Sequence, residues 1–136
     1  MNELTIAASK RITVVKIDVI VATLRDAKPL WDEFEYNLLF DRKKIIVDLS
    51  YCDYVDSTFV GMLIKIYKKV VENGGNLKLV FPQMVSETQF WALKITNVIE
   101  CYNTIQEAID NYHAELPLRD INYNEDMRTD NFYYGS

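Results

Sequence analysis

KIIVDLSYCDYVDSTFVGMLIKIYKKVVENGGNLKLVF, residues 44–81, decides the fold. Ile45, Ile46 and Val47 form an unbroken apolar run, the pattern of a strand covered on both faces, and Asp48 and Ser50 mark its polar exit. Between Ser57 and Glu72 the polar residues Lys65, Lys68, Lys69 and Glu72 keep to one stripe, while Phe59, Met62, Leu63, Ile66 and Val70 take the opposite side, the period of a helix with a deeply buried face. Asn73, Gly74 and Gly75 then stop the helix, because they accept the positive φ of a C-terminal cap. Leu77 to Phe81 follows as a second apolar strand that Pro82 closes. A strand, a helix and a strand in this order give a right-handed crossover and two parallel strands, hence an α/β fold.

Working outward, Thr5 to Ile17 reads as two short strands separated by the polar Ser9 to Arg11, and Asp26 to Phe40 as a helix with Pro29 in its first turn. Downstream, Val85 to Leu93 is expected to be a helix, Val98 to Tyr102 a short last strand, and Thr104 to His113 a helix. The last has Thr104 as N-cap and Glu107 three residues on, the capping-box spacing. Periodicity ends after Leu116 and Pro117. Residues 1–116 are therefore expected to form one domain, and 117–136 a flexible polar tail. The alternative for the tail is a partner-binding segment built on Tyr123, Phe132, Tyr133 and Tyr134.

The 136 residues suit one domain with its own core, and 49% hydrophobic with 26% charged residues is an ordinary globular composition. A net charge of −5 without a basic tract gives no electrostatic reason to bind nucleic acid or an anionic membrane. Lys65, Lys68 and Lys69 alternate with Glu72 and read as a solvated helix face. The apolar stretch Val19 to Leu24 is far too short to span a bilayer, and Met1 to Arg11 lacks the order of a secretory signal, so a cytoplasmic location is expected. Cys52 and Cys101 form no CxxC pair and have no flanking histidine, which argues for reduced thiols and against a metal site. The chain has no GxxxxGK loop, GxGxxG or GxSxG, and its single histidine, His113, lacks a visible acid and nucleophile. No enzyme is expected, and no cofactor.

The link from the central strand to the buried helix, Ser50 to Gly61, is the informative segment. Asp56, Ser57 and Thr58 all favour helix N-caps, and one reading is that one of them simply satisfies the first-turn N–H groups. The other starts from the same place. A helix N-terminus with exposed hydroxyls beyond the carboxyl end of a parallel strand is where α/β folds receive ligands and anions. Gly61, in the first turns of a helix, is explained either by close approach of another backbone or by tight packing on the sheet.

The runs Ile45-Ile46-Val47-Asp48-Leu49, Asp53-Tyr54-Val55-Asp56-Ser57-Thr58 with Gly61, and Asn73-Gly74-Gly75-Asn76-Leu77-Lys78-Leu79-Val80 together resemble a STAS domain, in its bacterial anti-sigma-factor antagonist branch. The resemblance continues through Leu93 to Ile99 and Ile105 to Ile109. It implies a mixed sheet with central parallel strands, an antiparallel N-terminal strand and about four helices. In the family an Asp-Ser-Ser/Thr-Gly-Leu-Gly motif opens the helix, and the residue after Asp is phosphorylated. By position that residue is Ser57, with Thr58 as runner-up. Val60 and Gly61 match the later motif positions, whereas Phe59 replaces the first Gly and places a ring where a partner meets bare backbone. The implied mechanism is partner switching. The unphosphorylated protein binds a serine kinase that doubles as an anti-sigma factor, phosphorylation of Ser57 releases it, and a serine phosphatase restores the complex. The implied contact surface is Cys52, Asp53, Tyr54, Asp56, Thr58, Phe59, Val60 and Gly61, with Tyr51 and the Thr23 to Asp26 turn as further neighbours.

Three other readings use the same residues. Asp48, Asp53 and Asp56 suggest the acidic site of a receiver domain, although the first strand is not followed by an acidic pair and no Lys ends the last strand. A non-switching STAS scaffold of a sensory assembly shares the fold and the Asp-Ser opening. A small-ligand or lipid-transport accessory module is the third.

Overall fold

Ile45 and Val47 point to one side of the central strand and Ile46 to the other, and all three are buried, as an apolar run without alternation requires. The computed structural model describes residues 11–83, 95–115 and 128–135. Its strands are β1 (Ile12–Asp18), β2 (Val21–Ala22), β3 (Lys44–Asp48), β4 (Tyr54–Val55), β5 (Asn76–Val80), β6 (Cys101–Tyr102) and β7 (Thr129–Gly135). The helices are α1 (Leu24–Tyr36), α2 (Ser57–Glu72) and α3 (Ile105–Ala114), with a 3-10 turn at Leu39–Asp41. Five strands form one sheet in the order β6-β5-β3-β1-β7, and β2 pairs with β4 in a separate two-stranded sheet.

Every strand pairing among the described residues is parallel, with Ile12 beside Lys44, Lys44 beside Asn76, Leu79 beside Cys101 and Ile12 beside Thr129. The strand–helix–strand unit from residue 44 to residue 80 is therefore as the sequence indicates. The expected N-terminal antiparallel strand and the Val85 to Leu93 helix lie outside the described residues.

α1 and α2 cover one sheet face, where Leu30, Phe34, Phe59, Leu63, Ile66 and Val70 meet Val15, Ile17, Ile45, Val47, Leu77 and Leu79. α3 covers part of the other, with Ala108 and Tyr112 against Ile12, Val14, Ile46 and Val80. Gly74 takes φ +87° just beyond α2, and a Cβ on Gly75 would lie 2.6 Å from the Arg42 carbonyl oxygen, so the Gly-Gly pair both ends the helix and lets the chain pass close to residue 42.

α1 begins at Leu24, two residues before the expected start, because Asp26 and Asp56 together supply acceptors to Thr23 N–H and Leu24 N–H. Pro29 therefore lies in the second turn and not the first. The helix stops at Tyr36, short of Phe40, where Leu38 turns to φ 56° and the chain tightens into the 3-10 turn.

The tail requires a larger correction. Residues 129–135 do not form a flexible end but pair along the whole of β1. Phe132 and Tyr134 pack on the α1/α2 side of the core, and Asp130 is held by Arg11 at 3.0 Å and Arg42 at 2.7 Å. Tyr123 lies outside the described residues.

Candidate functional site

At the carboxyl ends of β1 and β3 the chain makes two turns that lock together. The Ile20 carbonyl accepts from Asp53 N–H at 2.7 Å and Tyr54 N–H at 3.2 Å, and the Ala22 carbonyl accepts from Asp56 N–H at 3.0 Å. The β2–β4 ladder adds Val21 beside Tyr54 and Ala22 beside Val55. These bonds fix the segment that delivers the chain to α2.

Asp56 is the N-cap of α2: its Oδ1 accepts from Phe59 N–H at 2.8 Å. Its Oδ2 accepts from Leu24 N–H at 3.0 Å, the first residue of α1. A single carboxylate thus sits at the N-termini of two helices, where both dipoles favour negative charge. Ser57 and Thr58, the next two residues, are exposed.

Of the residues the sequence assigned to the surface, Asp53, Tyr54, Ser57, Thr58 and Gly61 are exposed and Asp56 is half-buried. Cys52, Phe59 and Val60 are not on it. Their side chains are buried in the main core, because Phe59 begins the apolar stripe that continues through Leu63, Ile66 and Val70, and Val60 lies beside it. The Phe59 ring therefore does not stand at the surface beside Ser57 and Thr58. Cys52 lies under the turn with its thiol toward the Ile17 carbonyl, and burial together with the Asp48 charge pushes it up to about 12. Burial pushes Cys101 up to about 12 as well, so neither thiol ionises near neutrality.

A Cβ built on Gly61 meets nothing within 4 Å, which removes tight packing on the sheet as the reason for this glycine and leaves its face of α2 open beside Thr58. Gly61→Ala is expected to stabilise the folded protein by up to ~1 kcal/mol, read as a higher urea midpoint with unchanged slope. A loss of stability would mean that the position is constrained within this chain after all.

The periodicity did not reveal a cluster of apolar side chains around this site. Ile20 is 65% exposed and Leu24 68%, and Val21, Tyr51 and Tyr54 are also exposed. Ile20, Val21 and Tyr51 line one open depression with Asp18, Val19 and Arg25, Val21 pairs with Tyr54, and the backbone N–H of Leu24 bonds to Asp56. Exposed apolar surface rimmed by charge is the composition of a protein-docking face. The only sequence signal was Val19 to Leu24, read there as an apolar stretch too short for a membrane.

Asp48 is buried and accepts from Ser50 N–H, Asp53 faces solvent, and both oxygens of Asp56 are engaged by helix N–H groups. The three carboxylates of a receiver site therefore do not converge. Among the described residues no three His, Cys, Asp or Glu side chains gather around a metal-sized site, and no helix is long and apolar enough to cross a membrane.

A family model described as the STAS domain matches residues 4–108. Among solved structures, the crystal structure of a candidate anti-sigma factor antagonist from Thermotoga maritima superposes with a TM-score of 0.56 at 24% identity, covering 74% of this chain and 87% of that one. The NMR structure of the protein TM1081 gives 0.58 at 21% identity, covering 76% and 83%. At such identities the likeness is one of fold. A search of curated proteins returns no match.

Proposed function

This chain belongs to the STAS domain family, and from that premise we propose that it is an anti-sigma-factor antagonist that works by partner switching and catalyses no reaction itself. Its unphosphorylated form binds a serine kinase that is also an anti-sigma factor, phosphorylation of Ser57 ends that complex, and a serine phosphatase renews it. The observation that carries this reading is the placement of Ser57. It is an exposed hydroxyl at the first position of α2, next to the doubly bonded Asp56 carboxylate and beside the apolar face of Ile20, Val21, Leu24, Tyr51 and Tyr54.

The physics of a phosphate there has two parts. The N-terminal helix end tolerates the added charge of about −1.5 to −2, so the fold survives modification. Asp53 and Asp56 already make the adjoining surface acidic, and a phosphate among them imposes a desolvation and repulsion cost on any partner that must seal against it.

Mass spectrometry of the protein isolated from its own cells, with and without phosphatase treatment, tests the reading. Phosphate on Ser57 that the phosphatase removes is the expected result. An acid-labile phosphate on Asp48 or Asp53 would replace it with the receiver reading, and an unmodified Ser57 under every growth condition would replace it with the non-switching scaffold.

A further inference from the structure

The C-terminal strand touches both supports of the Ser57 segment. On its inner face the Tyr134 hydroxyl donates to Asp26 Oδ1 at 3.0 Å, and Asp26 Oδ2 accepts from Thr23 N–H at 3.0 Å, which holds the entry to α1. Asp26 is only 5% exposed, so these bonds hold a carboxylate that has little water to replace them. The residue after Thr23, Leu24, gives its N–H to Asp56, and Asp56 caps α2. A run of hydrogen bonds and adjacent residues therefore leads from Tyr134 through Asp26, Thr23, Leu24 and Asp56 to Ser57.

The tip of β7 reaches the second support. Gly135 has φ +89°, and a Cβ on it would lie 2.5 Å from Val19 Cγ1 and 2.7 Å from the Asp18 carbonyl oxygen, so the strand presses on the residues just before Ile20. Ile20 is the residue whose carbonyl holds Asp53 and Tyr54. On the outer face Tyr133 lies over the Lys16 ammonium at 5.6 Å, and the same ammonium faces Tyr51 at 5.9 Å.

β7 is also the least buried strand of the large sheet's long members. No residue in it is fully buried, whereas β1, β3 and β5 are buried along most of their lengths. Among the described residues it pairs on one side only, at the sheet edge. Edge elements with few buried contacts open at lower free energy than the core they border.

We infer that the C-terminal strand is a releasable latch on the switch segment, with Tyr134 as the positioning residue that transmits its docking to the shared N-termini of α1 and α2. With the latch closed, the Asp56 carboxylate and Ser57 are held in one arrangement. With it open, Asp26 loses a partner, the α1 entry loosens, and Asp56 loses its fixed second helix. The consequence for partner binding rests on the reading of Ser57 as the switch: a preorganised face binds more tightly than one that must be ordered on contact.

Amide hydrogen exchange of the full chain tests the latch without any partner. Tyr134→Phe keeps the ring and removes only the hydroxyl. It is expected to speed exchange at Thr23 and Leu24 by about tenfold, the effect of losing one hydrogen bond to a buried carboxylate, while β3 and β5 amides keep their rates. Tyr133→Phe, on the opposite face of the same strand, is expected to change neither. Unchanged exchange at Thr23 and Leu24, or equal acceleration throughout the sheet, would overturn the latch. An absence of phosphate on Ser57 in cells would instead overturn the switch reading and leave the exchange result to decide the latch alone.

Discussion

Glu100→Gln combined with Glu115→Gln is expected to lower the unfolding free energy by about 2–3 kcal/mol at neutral pH, whereas Lys78→Met is expected to cost less than about 1.5 kcal/mol or to stabilise. The asymmetry follows from which charge is buried. The Lys78 side chain is completely shielded from solvent on the α3 side of β5, while Glu100 and Glu115, each 3.1 Å from its ammonium, are about half exposed. Asn111 and Tyr102 also bond to it, and the Tyr112 ring lies 4.3 Å away. Removing both carboxylates leaves an ammonium in the core with neutral partners only. Removing the lysine leaves two carboxylates that water can solvate. The expected cost stays below that of a fully buried broken pair because solvent screens the glutamates.

The same cluster predicts a pH dependence. Burial pulls Lys78 down, but the hydrogen bonds it donates to Glu100 and Glu115 outweigh burial and raise it above its ordinary 10.5. This contribution is present below pH 10.5 and is lost as pH rises through the raised folded value. Hydrogen bonds from Tyr102 and Lys78 lower Glu100 from its ordinary 4.5, so its contribution is present above pH 4.5 and is lost as pH falls through the lowered folded value. Urea midpoints measured across this acid range should fall less in Lys78→Met than in the unaltered protein. Parallel curves would show that the cluster contributes no net interaction.

Ser57→Asp is expected to bind the proposed serine kinase at least about tenfold more weakly than Ser57→Ala, with both variants melting close to the unaltered protein. The fold should tolerate either residue, because the position is exposed and a carboxylate in a first helical turn is favoured by the dipole. The docking face should not, because the substituted side chain would add a third carboxylate to those of Asp53 and Asp56. Titration calorimetry with the purified kinase separates the cases, and equal affinity of the two variants would remove the switch mechanism.

The parts of this architecture that the sequence revealed are those whose information is local. The unbroken run at Ile45 to Val47, the stripe from Phe59 to Val70 and the Gly74-Gly75 stop each fix an element through neighbouring residues, and the Thr104 cap accepts from Glu107 N–H at 3.1 Å as its spacing indicates. Phe59 is instructive because two signals disagreed there. The helical period placed it in the core, the motif alignment placed it at a contact surface, and the period was right. The second role of Asp56 depends on Leu24, 32 residues away, and no pattern within one segment carries it. β7 escaped because its inward positions are Asp130, Phe132 and Tyr134 among Asn and Gly, and the acid is satisfied by Arg11 and Arg42, 119 and 88 residues earlier in the chain.

The pairing of β7 with β1 joins nearly the first described residues to the last, Ile12 to Thr129. Vectorial synthesis therefore delivers the two halves of this ladder at opposite times. When Glu115 has emerged from the ribosome, all of β1 to α3 is available, yet one edge of β1 still lacks the neighbour it has in the finished fold. The remaining twenty residues to Gly135 take about 1–4 s at ordinary elongation rates. During that interval the edge of β1 that β7 covers, a run of strongly β-forming residues from Ile12 to Ile17, lacks that neighbour among the described residues, and its protection from pairing with neighbouring chains depends on how soon β7 emerges.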